Sequence, residues 1–159
     1  MKSAGISQIK EALKQQSYSS LVELCLKLSS YKIENKQYLS YLLFDTHQRE
    51  EYLEDLKGEI DLAFDNINQD SYFYVNKSLR KILREAKKHI KFAKDSAFEM
   101  ELMIHFLKKT KSLSCNISQS PKLLGLYKRE NQKTQKLLEK IEPDLWIDYQ
   151  EDLKEIEDF

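Results

Sequence analysis

Residues 34–45, ENKQYLSYLLFD, are the one place where this chain offers a strand. Tyr38, Leu39, Tyr41, Leu42, Leu43 and Phe44 leave little room for a polar face, and Ser40 is the only interruption. Such a run is either a buried strand or a helix covered on most sides. A strand needs a partner, and no second segment supplies one. With three Gly and two Pro in 159 residues, the turns that punctuate sheets are also scarce. The run is therefore expected to be a central, buried helix, and the fold all-α.

The flanking segments follow the helical period. Ile6, Ile9 and Leu13 suggest a short first helix ending before Ser17, with the first ~15 residues frayed. Ser20 and Glu23 stand as a capping box for a helix that carries Leu21, Leu24, Cys25 and Leu28 inward and stops near Tyr31. Asp45 or Thr46 can cap the next helix, whose buried face reads Tyr52, Leu53, Leu56, Ile60, Ala63, Phe64 and Ile67, with Gly58 in its interior. Asp70 or Ser71 restarts a long helix with Tyr72, Val75, Leu79, Ile82, Leu83, Ala86, Ile90 and Ala93 inward. Ser96 and Glu99 form a second capping box, ahead of a widely apolar helix from Phe98 to Leu107.

Residues 110–120 are a polar loop rich in Ser and Asn, and Ser120-Pro121 supplies an N-cap with proline at the first helical position. In the helix that follows, everything from Lys128 to Lys136 is polar, so either its middle projects into solvent or a turn near Asn131 divides it. Pro143 opens the last helix, with Leu145, Trp146, Tyr149, Leu153 and Ile156 as its stripe.

Together these make six to eight helices in a single domain over 1–159. The alternation of one-sided and all-round apolar helices resembles short α-solenoid domains of the HEAT or armadillo kind, which implies a right-handed helical-repeat array. No signature residue of those families is matched, and no repeat of 20 to 50 residues is evident. The pattern also looks like small all-helical proteins of bacterial genomes. A compact helical bundle is the competing architecture.

Composition narrows the function. A content of 41% hydrophobic and 33% charged residues suits a globular fold. No stretch approaches the ~20 apolar residues of a membrane span, so the expected location is the cytoplasm, with no membrane contact. Cys25 and Cys115 are too far apart for a redox or zinc pair; Cys25 reads as a small core residue and Cys115 as a loop thiol. Glu85 with His89 and Glu101 with His105 are i, i+4 pairs, but their spacing differs from the Glu-x-x-His of di-iron bundles, and lysines crowd His89. No nucleophile elbow, phosphate loop or zinc-protease motif is present, so neither catalysis nor a metal or cofactor is expected.

What stands out is the sorting of charge. The chain is neutral, yet Asp45 to Asp70 balances to −7, Ser71 to Lys111 to +7, and Ile141 to Phe159 to −7. At 100° per residue, Lys77, Arg80, Lys81, Arg84, Lys87, Lys88, Lys91 and Lys94 occupy less than half of one helix, opposite its apolar stripe, over about 25 Å. Arg80, Arg84, Lys87 and Lys91 form its centre, and Phe73 and Phe92 fall near its edges. Such a stripe is a solvated face, or lies beside Glu50, Glu51, Glu54 and Asp55 of the preceding helix, or meets a partner. The expected function is a non-catalytic protein-interaction or scaffold module. Its partner is expected to be a protein, a second copy of the chain included, and nucleic acid or another polyanion is the alternative. The acidic tail is expected to dock through Trp146 and Tyr149.

Overall fold

In the computed structural model residues 3–157 are described; Met1 and Lys2, within the ~15 residues expected to fray, and Asp158 and Phe159, of the acidic tail expected to dock, lie outside them. Eight α-helices and no strand occur among the described residues. The chain expected as one domain over 1–159 falls into two compact units, Met1–His47 and Gln48–Phe159.

The first unit holds α1 (Ile6–Lys14), α2 (Tyr18–Tyr31) and α3 (Ile33–Ser40), then a π-helical turn over Tyr41–Asp45. Ser17, not Ser20, caps α2: its hydroxyl accepts from the Ser20 amide at 3.2 Å, so the helix starts a turn earlier than the capping-box reading. α3 packs on α2, and Asn35 Nδ2 donates to the Leu28 carbonyl at 2.8 Å, satisfying an orphan acceptor near the end of α2. Residues 34–45 are helical as expected, but they are not a buried centre. No residue of α1, α2, α3 or the π turn is buried, and Leu42, Leu43 and Phe44 are exposed. Cys25, read as a core residue, is exposed too. Apolar periodicity marks a face that wants cover; it cannot say whether an element stands opposite.

The second unit is a compact helical bundle of α4 (Arg49–Asp65), α5 (Tyr72–Ala93), α6 (Ser96–Lys111), α7 (Pro121–Gln135) and α8 (Trp146–Glu157). Its hub is α6, which touches α4, α5, α7 and α8 and buries Phe98, Met100, Leu102, Met103, Ile104, Phe106 and Leu107 around its circumference. α4 contributes Leu53, Leu56, Ile60 and Phe64, and α5 contributes Val75, Leu79, Ile82, Leu83 and Ala86. Tyr72, expected inward, is exposed at the start of α5.

Caps differ from the sequence reading where two candidates were adjacent. Gln48 precedes α4 without a side-chain cap, in place of Asp45 or Thr46. Ser71 caps α5 as expected. Asp95, not Ser96, caps α6, its carboxylate accepting from the amides of Ala97 and Phe98 at 2.8 and 3.1 Å. A carboxylate there also meets the positive end of the helix dipole, which a serine hydroxyl does not.

The polar middle of α7 neither projects into solvent nor breaks at Asn131. The helix runs unbroken to Gln135, and Glu130, Asn131 and Thr134 are buried. Asn131 Nδ2 donates to the Ile156 carbonyl at 2.8 Å and the Tyr127 hydroxyl donates to the same carbonyl at 2.7 Å. Two side chains of α7 thus satisfy the orphan carbonyl end of α8. Pro143 opens a 3₁₀ turn instead of α8 itself, and Leu145 and Trp146 stay exposed. The tail docks through Leu153 and Ile156, with Tyr149 half-buried, while Trp146 Nε1 donates to the Ile141 carbonyl.

Two backbone positions should gain stability from opposite substitutions. A Cβ at Gly58, inside α4, would meet nothing within 4 Å, so Gly58→Ala should raise stability by ~1 kcal/mol through helix propensity. Lys94 closes α5 at φ 53°, in the left-handed region that glycine occupies without strain, so Lys94→Gly should raise it by ~0.5–1 kcal/mol. Urea denaturation of each variant checks both signs. By the same measurement Asn131→Ala should cost ~1 kcal/mol, because it removes one of two donors to the Ile156 carbonyl while Tyr127 keeps the other.

Candidate polyanion-facing site on the basic helix

Seven of the eight basic residues lie on α5 and Lys94 is its C-cap; the same period that buries Leu79, Ile82, Leu83 and Ala86 leaves Lys77, Arg80, Lys81, Arg84 and Lys91 exposed. They are not equivalent. Lys87 reaches the buried carboxylate of Glu130 on α7, and Lys88 turns back to Glu85 on its own helix. Among the described residues no carboxylate lies within ion-pair distance of Lys77, Arg80, Lys81, Arg84, Lys91 or Lys94. Arg80 has its Nε on Asn76 Oδ1 at 2.7 Å, which orients it along the helix.

Acidic residues of α4 do not cover this stripe. Glu54 pairs with Lys57 of its own helix at 2.7 Å, and no pair joins Glu50, Glu51 or Asp55 to α5 among the described residues. The carboxylates elsewhere in the unit answer the lysines at the end of α6 instead. Asp61 meets His105 at 2.6 Å and Lys109 at 3.1 Å, and Lys108 lies between Asp152 and Glu155 of α8 at 2.6 and 2.5 Å. Arg49 binds Asp95 at 2.8 Å and Glu101 at 3.0 Å, joining α4 to α6. The +7 block is therefore neutralised at its C-terminal end and left open along α5.

Glu130 enlarges the basic face, and nothing in the pattern of residues 128–136 announced it. It is 2% exposed and is approached by Lys87, by Arg129 at 3.2 Å and by Lys133 at 3.5 Å. Burial by itself raises its carboxyl, but the Lys87 hydrogen bond and charge, with Arg129 and Lys133 behind them, hold it below the usual carboxylate range. One carboxylate among three cations leaves net positive charge at the junction, so the basic surface passes from α5 onto α7.

Beside the stripe, a half-open groove of about 320 Å³ lies between α4 and α5. Its floor is apolar, with Leu56, Ile60, Ala63, Ile82 and Ala86, and Lys81, Glu85 and His89 stand among its walls. Phe73, read at an edge of the stripe, is 71% exposed a turn before Lys77, whereas Phe92 is half-buried beside His89 with ring centroids 5.4 Å apart.

The two Glu–His pairs do not converge. Glu85 is held by Lys88, His89 shares a 2.5 Å hydrogen bond with the Tyr52 hydroxyl, Glu101 is taken by Arg49, and His105 by Asp61. No group of three metal-ligating side chains occurs among the described residues. Cys115 is half-buried, and burial pushes its thiol up, away from the thiolate form a nucleophile needs. The chain matches no family model, no curated protein and no solved structure.

His89 gives this region a pH signature. Burial, and secondarily the Lys88 ammonium, push its imidazole down from 6.5 to about 4. Between those values the unfolded chain binds a proton that the folded chain does not, so His89 lowers stability as pH falls through that window. The carboxylates of Asp95, Asp61 and Glu130, all held low, add their loss only at lower pH. Urea midpoints measured at about pH 7.5 and about pH 5 should therefore differ in the native sequence, and His89→Phe should shrink that difference.

Proposed function

We propose that this chain is a non-catalytic interaction module that captures an acidic protein segment along α5. The observation that carries this reading is the row Lys77, Arg80, Lys81, Arg84 and Lys91, exposed and without a carboxylate partner among the described residues. The adjoining apolar groove favours a protein, because it can take an apolar anchor from a segment whose acids follow the lysines. Charges aligned in this way set partner choice and association rate more than they set fold stability. Exposed Phe73, in line with the stripe, favours a second reading in which bases of a single-stranded nucleic acid stack at its end.

The experiment is capture from the native host with the natural chain and with Lys81→Glu/Arg84→Glu/Lys91→Glu. These side chains hold no internal ion pair, so circular dichroism and melting temperature should stay within ~0.5 kcal/mol of the parent. An acidic protein retained by the parent should be lost from the variant. Equal retention by both would sink the proposal. Binding of the parent to mixed-sequence oligonucleotides at low salt, with affinity falling steeply as salt rises, would transfer the site to the nucleic-acid reading.

A further inference from the structure

The first unit carries a different kind of unfinished surface. Leu26, Leu28, Ile33, Leu42, Leu43 and Phe44 are between 46% and 68% exposed, and none of the unit's helical residues is buried. A helix as apolar as α2, open on more than one side, has no stable place in water. Three helices without a fully buried residue also lack the core that a segment of this size needs.

We infer that this unit pairs with the same unit of a second copy of the chain, two α2–α3 hairpins closing one shared core. Three observations select a second copy over a charged partner. The first is charge: α2 holds one acid and one lysine, Glu23 and Lys27, and α3 likewise holds Glu34 and Lys36. A two-fold pairing sets identical patches against each other, so only a balanced patch escapes like-charge repulsion. The α5 stripe and the acidic α8 would each repel their own copy. The second is exposure: Leu26, Leu28, Ile33, Leu42, Leu43 and Phe44 are each about half or more open to solvent, and no residue of these helices is buried. Removing such apolar surface from water is what drives association of like surfaces. The third is architecture, since two helical hairpins supply the four helices of a bundle core. This pairing is independent of the α5 reading.

Sedimentation equilibrium of the full chain, from about 1 to about 100 μM, tests it. The natural sequence should run at twice 18.9 kDa. Leu43→Lys/Phe44→Lys should return it to one copy with helicity retained, because both side chains are open in the single chain. Leu28→Lys, on α2, makes the same prediction and decides the matter where the first variant loses helicity. Lys81→Glu/Arg84→Glu/Lys91→Glu should remain a dimer. A natural chain that stays at 18.9 kDa throughout overturns the inference, as does a dimer that survives both apolar variants or dissociates with the charge reversal.

Discussion

An α-helix that is apolar over most of its circumference must be covered from several sides, and α6 imposes that requirement on the second unit. Its seven large apolar residues leave only the strip of Glu101, His105 and Lys108 polar, so one neighbour cannot bury them. Helices α4, α5, α7 and α8 each supply part of the cover. The basic face is a by-product of this geometry. Once Leu79, Ile82 and Leu83 are committed to α6, the lysines and arginines between them have only solvent or a partner to meet.

Charge pairing then follows proximity to α6 instead of order along the chain. Consecutive acidic and basic helices were the simplest explanation for the sorted charge. The pairs that form, however, link α4 to α6 through Arg49 and Asp61, and α8 to α6 through Lys108. These contacts are half-exposed, and pairs of that kind contribute little to stability each. Their structural consequence is that Asp61, Asp152 and Glu155 are engaged by α6, while Lys77, Arg80, Lys81, Arg84 and Lys91 of α5 have no carboxylate partner among the described residues.

Buried polar groups in α7 show a different economy. Glu130 is surrounded by three cations and Asn131 serves the carbonyl end of α8, so a stretch that looks like a solvated helix face is an internal seam. Leaving either partner out would strand a desolvated group, which is why such seams resist piecemeal substitution. Among the described residues the first unit has no comparable seam and no buried residue. Its helices are specified by local propensity and capping, and their apolar side chains stay open.

Sequence by itself determined that this chain is helical, most of the residues of α4, α5 and α6 that turn inward, and that the exposed basic residues of α5 share one side. Those features depend on a period of 3.6 residues within one segment, and a segment carries its own period. Ser17 and Asp95 as caps were within reach of the same reasoning, but Ser20 and Ser96 competed for the role on equal local terms. Only the tertiary structure decided that Glu130 and Asn131 are buried, that Lys87 is engaged while Lys81, Arg84 and Lys91 are not, and that residues 34–45 lie open. Each of these depends on a neighbour from elsewhere in the chain, 43 residues away for Lys87 and Glu130, and periodicity holds no information about what stands across a gap of that length.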